Sequence, residues 1–203
     1  MNGRFADLRK IPKEPAARLL AGASTKLRTP VRAPASAPVA VVLEELERLQ
    51  AWIDMLRLLS VALPPRERVW WACLAGRDLV EAGGGGKLPP PLAAAEAWVF
   101  KPTEANRLAA RTAIEMADID DDTTLCCTAV IFGDDQAAPG APREATSSPG
   151  AAPAAVFCMN LKALGLEQAD FARAANRLVD RALDIARGGN GRIDKPGAAE
   201  PGA

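Results

Sequence analysis

Residues 39–63 read VAVVLEELERLQAWIDMLRLLSVAL. Apolar residues fall at Val42, Leu46, Leu49, Ile53 and Leu56, which is the spacing of one helix face. Leu43, Trp52, Leu59 and Leu63 widen that stripe, while Glu44, Glu45, Glu47, Arg48, Asp54 and Arg57 fill the rest of the circumference. The pattern predicts one long amphipathic helix. Pro64–Pro65 ends it, because proline lacks an N–H and crowds the preceding turn.

The same texture continues downstream. Pro65 opens a second helix, PRERVWWACLAGRDLVEAG, which the glycines 83–86 stop. A short alanine-rich helix is expected over Leu92–Phe100. Another follows Pro102, with Leu108, Ala109, Thr112 and Met116 on its inner face and Glu104 near the positive end of its dipole. Residues 123–132, TTLCCTAVIF, are rich enough in β-branched residues to pass for a buried strand, but a lone strand would have no partner, so helix is the reading. Val156–Leu164 reads as a short helix, and a last helix runs from 166 to 188 with Phe171, Leu178 and Ile185 at sevenfold spacing. The fold expected is an all-α, single-domain bundle of five to seven helices over residues 39–188. Residues 1–38 form a basic, proline-containing N-terminal arm, 134–153 a mobile loop, and 189–203 a disordered tail.

Composition narrows the chemistry. The chain has 203 residues, 25 basic and 25 acidic, with no histidine and no tyrosine. Ser-His-Asp triads, Cys-His dyads and His-ligated zinc are therefore excluded. Charge is uneven: residues 1–38 hold eight basic residues against Asp7 and Glu14, so the body carries the compensating acid excess. Such an arm suits nucleic acid or an acidic partner, or folds back on its own acidic body. Phe5 is the arm's one aromatic, few for a nucleic-acid arm. No apolar run reaches membrane-span length and residues 1–32 lack a signal-peptide core, so the expectation is a cytoplasmic protein with Cys73, Cys126, Cys127 and Cys158 reduced.

Several motif-like stretches fall short. In GGGGKL the positions that a phosphate loop needs as its first glycine and its hydroxyl are Glu81 and Leu88. Asp118, Asp120 and Asp122 have calcium-loop spacing, but Thr123 and Ala129 stand where glycine and glutamate are needed. The cysteines form no paired C-x-x-C knuckle, and adjacent Cys126 and Cys127 point about 100° apart on a helix. No cofactor and no metal are expected.

Four stretches carry a family likeness: Leu-Pro-Pro-Arg-Glu with Val-Trp-Trp-Ala-Cys (63–73), Ala-Ala-Glu-Ala-Trp-Val (94–99), Pro-Thr-Glu-Ala-Asn-Arg-Leu-Ala-Ala (102–110) and Leu-Asp-Ile-Ala-Arg-Gly (183–188). Lys-Ile-Pro-Lys-Glu-Pro-Ala (10–16) fits as well. Together they resemble an alanine-rich bacterial family of unknown function with Trp-Trp-Ala-Cys and Ala-Glu-Ala-Trp-Val helix motifs. The likeness runs from about residue 9 to 188 and thins across 122–165, where Phe132-Gly133-Asp134-Asp135 departs from it. It implies a bacterial, cytoplasmic, helical protein and no particular chemistry.

The absence of a catalytic constellation and the surplus of tryptophan point to a non-enzymatic protein–protein interaction module: an adaptor, a chaperone or an accessory subunit of a multi-protein assembly, with secretion among the settings. Trp70, Trp71, Trp98 and Arg107 are the candidate interaction residues, since Trp and Arg dominate binding hot spots. Trp70 and Trp71 face about 100° apart, so one packs inside and the other sits at an edge or on a binding surface. Two alternatives stay open: a histidine-independent enzyme or thiol redox protein using Cys73, and nucleic-acid binding through the basic arm.

Overall fold

The structure is a computed structural model, and it describes residues 3–133 and 150–193. Among these residues there are nine α-helices and no strands. They are α1 (Ala16–Gly22), α2 (Val39–Arg48), α3 (Trp52–Ala62), α4 (Pro65–Ala82), α5 (Pro90–Phe100), α6 (Glu104–Glu115), α7 (Thr124–Ile131), α8 (Ala151–Leu164) and α9 (Phe171–Arg187). The stretch 123–132 is thus helical, as its neighbours suggested.

Two helices exceed the expected five to seven. One is α1, which lies in the N-terminal segment. The other arises because residues 39–63 form two helices, not one. Gln50 adopts φ +53°, and the Ala51 N–H reaches the Leu46 carbonyl at 2.9 Å while Gln50 N–H reaches Glu47. This is a Schellman stop with glutamine in the left-handed position. Periodicity does not reveal it, because α3 restarts with its apolar face nearly in phase.

One continuous core joins these helices. α4 is its hub and packs against α5, α7, α8 and α9. Gly76 permits a close approach of α5 and α7, since a Cβ there would sit 3.1 Å from Leu92 Cδ1 and 3.5 Å from Cys126 Sγ. Two neighbouring residues of α4 tie it to two different neighbours. Arg77 forms a two-point pair with Glu96 of α5 at 2.5 and 2.6 Å, and Asp78 forms one with Arg181 of α9 at 2.5 and 3.0 Å. α6 is peripheral and packs mainly on α5 and α7.

The N-terminal segment lies on the body. Phe5, Ala16, Leu20 and Ala37 belong to the core. Arg4 pairs with Glu47 and Asp180, and Lys10 with Glu67. Its connecting strap is held by two buried carboxylates. Asp54 Oδ2 accepts the amides of Arg28 and Thr29 at 2.9 and 2.6 Å, and the two oxygens of Glu45 accept those of Arg32 and Ala33 at 2.6 and 2.8 Å.

The C-terminal side differs from expectation in three places. α8 begins at Ala151, five residues before the predicted Val156; Gly150 turns the chain with φ +89° and Pro153 sits harmlessly in the first turn. The rest of the predicted mobile loop, 134–149, lies outside the described residues. Phe171 opens α9 and is 45% exposed, whereas Leu178 and Ile185 of the same sevenfold series are buried. Residues 189–193, read as the start of a tail, are docked: Asn190 accepts a bond from Trp70 and Gly191 N–H donates to Asp184 at 2.8 Å.

Candidate interaction surface

The four residues singled out for binding occupy three kinds of place. Trp71 is wholly buried, and its Nε1–H donates to the Leu178 carbonyl of α9 at 3.0 Å. Trp98 is buried, with the Arg107 guanidinium 5.6 Å from its ring centroid. Arg107 Nη1 donates to the carbonyls of Val130, Ile131 and Gly133, closing the C-terminal end of α7, where a cation also meets the negative end of the dipole. Trp70 alone of the three tryptophans is half-exposed. Its Nε1–H donates to Asn190 at 2.7 Å, Phe100 leans on it at 5.9 Å, and Arg192 lies over it at 5.7 Å. Trp71 and Trp98 are therefore packed inside the fold, and the surface aromatic pair is Trp70 with Phe100.

A second apolar surface was read inside out from the sequence. Leu108, Ala109, Thr112 and Met116 were expected to face inward, yet all four are exposed. Ala110 is the one residue of α6 that is fully buried, with Asn106, Arg107, Ala113 and Ile114 partly covered beside it. The inner face thus relies largely on small and polar residues, with Ile114 its one large apolar side chain. Asn106 Nδ2 donates to the carbonyls of Ala97 and Lys101, bracing the turn at Pro102, and Arg107 reaches α7. Leu108 is 59% exposed, Met116 82% and Ile119 99%. The acids Glu104, Glu115, Asp118 and Asp120 accompany them at the surface, against Lys101 and Arg111.

The other motifs resolve into local structure. The glycines at 84–86 have positive φ and follow the C-terminal end of α4, where the dipole repels an anion. The next helix starts in Pro89–Pro91, which have no N–H to offer a phosphate. Asp121 Oδ1 accepts the Thr123 amide and hydroxyl at the start of α7, and Asp122 pairs with Lys162. Among the described residues no group of three or more His, Cys, Asp or Glu could hold a metal ion, and no helix is long and apolar enough to cross a membrane.

The cysteines divide by burial. Cys73, Cys126 and Cys127 are buried, whereas Cys158 is exposed. Burial, and a hydrogen bond that the neutral Cys73 thiol makes to Cys126, push the Cys73 thiol well above its ordinary range, and burial pushes Cys127 up to about 12. Both environments favour the neutral thiol, the reverse of what a nucleophile needs.

An all-helical bundle built around one central helix, with a braced rim helix that leaves its apolar side in solvent, defines the class of protein at hand. The chain belongs to DUF6931, a family of unknown function whose profile matches residues 42–186. No curated protein and no solved structure matches it.

Proposed function

We propose that this protein is a non-enzymatic protein–protein interaction module that takes its partner on the outer face of α6 and the turn after it. The observation that carries this reading is the exposure of Leu108 on α6 and of Met116 and Ile119 just beyond it, where the inner side of the helix is already fixed by Ala110, Asn106 and Arg107. Large apolar side chains left in solvent close together along the chain support a docking surface. Acids outnumber bases beside them, so the partner's complement is a segment with apolar residues at helical spacing flanked by Lys or Arg. Trp70 and Phe100 offer a second aromatic contact.

The test compares wild type with Leu108→Glu/Met116→Glu, a pair of exposed positions. Both proteins are titrated with a synthetic amphipathic peptide carrying Leu at i, i+4 and i+8 and lysines on either side. The wild type should bind it, with affinity falling as salt rises, and the variant should lose binding by roughly tenfold or more without a change in circular dichroism. Equal binding by both proteins, or preference for a glutamate-flanked peptide, overturns the assignment. Adaptor, chaperone and accessory-subunit roles are then separated by capturing the host partner with the same two proteins.

A further inference from the structure

A cavity of about 390 Å³ opens where the end of α1, the middle of α3 and the start of α8 meet. That volume is in the range of small-molecule sites. Its wall joins Arg57, Ser60 and Val61 of α3 to Phe157 of α8, with Ser24 and Thr25 after α1 also lining it. Among the described residues its wall holds one cation and no carboxylate.

Arg57 is built into the wall. Its guanidinium lies 4.2 Å from the Phe157 ring centroid, which fixes the plane of the fork. Asp54 approaches its Nε at 3.4 Å without forming a hydrogen bond, and that carboxylate is already committed through its other oxygen to the amides of Arg28 and Thr29. Arg57 Nε and Asp54 Oδ1 are both buried without a hydrogen bond and face each other as an ion pair, so the terminal nitrogens, rather than Nε, are the donors a ligand would meet. Beside Arg57, the first turn of α8 has no side-chain cap. The position of that turn is fixed, because a Cβ on Gly150 would fall 2.1 Å from the Ala23 carbonyl oxygen, so only glycine lets the two segments touch.

We propose that this cavity binds a small organic carboxylate, its charged end on Arg57 and its hydrocarbon body against Val61, Ala154 and Phe157. A planar fork prefers a carboxylate, and the apolar part of the wall suits a short aliphatic or aromatic acid better than a bare ion. The site is separate from the α6 surface and does not depend on its function.

The test is calorimetric titration of the full chain with benzoate and hexanoate, using benzamide and hexanamide as neutral counterparts and inorganic phosphate as a bare anion. The acids should bind at least roughly tenfold more tightly than the amides and than phosphate. Arg57→Gln should remove that preference. Because Arg57 also faces Asp54, a second variant keeps the test decisive: Ala154→Trp, at an exposed lining position, should fill the cavity and abolish binding while the melting temperature holds. Acids and amides binding alike, phosphate binding as tightly as the acids, undiminished binding by Ala154→Trp, or no binding at about 10 mM acid would each overturn the proposal.

Discussion

Glu45 and Asp54, on two consecutive helices, each hold two successive backbone amides of the same strap: Arg32 and Ala33 on Glu45, Arg28 and Thr29 on Asp54. The Arg32 amide leads the effects that hold the Glu45 carboxyl below its ordinary range. Burial raises Asp54, but the Thr29 and Arg28 amides outweigh it and leave that group lowered as well. A chain with no side-chain ladder of its own is thereby fixed across α2 and α3.

The forks make strap attachment acid-sensitive. A carboxylate lowered in the folded state contributes stability that is complete above its unfolded pKa and is lost as pH falls through the folded value. Stability should thus be flat near neutrality and decline below about pH 4, and the decline should weaken in Asp54→Asn. That variant should lose about 1–3 kcal/mol at pH 7 by urea unfolding. Glu45→Gln/Asp54→Asn should expose the Arg28–Thr29 and Arg32–Ala33 bonds to trypsin at pH 8; unchanged cleavage rates would show that other contacts hold the strap.

Gln50 occupies a left-handed position that costs a residue with a Cβ about 1–2 kcal/mol. Gln50→Gly should raise the unfolding free energy by about 0.5–1 kcal/mol, since part of the gain is returned as chain entropy in the unfolded state. A loss of stability on this substitution would mean the glutamine side chain is itself an anchor.

Trp71 and Trp70 should answer to different perturbations. Trp71→Ala removes a buried ring and leaves a cavity at the α4–α9 contact, for a loss of about 3–5 kcal/mol. The outer ring is better tested through its cover. Gly191 has φ +68°, and a Cβ there would lie 2.8 Å from both Ile185 Cδ1 and Leu74 Cδ1. Gly191→Ala should undock residues 189–193 and shift tryptophan emission to the red with little change in circular dichroism. An unshifted spectrum would place the tail's hold elsewhere.

Thiol labelling should be biphasic. Cys158 should react at once at pH 8, and Cys73, Cys126 and Cys127 only on unfolding, so rates for those three should follow denaturant concentration. Rapid modification of all four in the native protein would contradict the packing of α4 against α7.

The sequence showed helices where an apolar stripe met a Pro or Gly boundary: Pro65 and Gly83 fall within a residue of the observed ends of α4, and Pro102 lies two residues before the start of α6. It did not show the stop at Gln50, because a left-handed glutamine has no compositional signal and the stripe resumes beyond it. It reversed α6 because Leu108 and Met116 at i and i+8 have the spacing of a buried face, while the actual inner side uses Ala110 flanked by Asn106 and Arg107. The carboxylate forks were invisible, since Glu45 and Asp54 look like any charges on an amphipathic surface until their backbone partners, far along the chain, are in place. The Arg57 cavity likewise exists only where three separated segments meet.

Arg77 and Asp78 are consecutive, yet one faces α5 and the other α9. On a helix, one residue is 100° of rotation. The central rod is accordingly keyed on two sides at once: it cannot roll to relieve a misfit at one neighbour without breaking its lock on the other. Deleting a single residue between Arg66 and Ala75 would swing both keys out of their seats together. Natural variation in α4 should therefore proceed by substitution, with changes of length confined to the glycine loop beyond it.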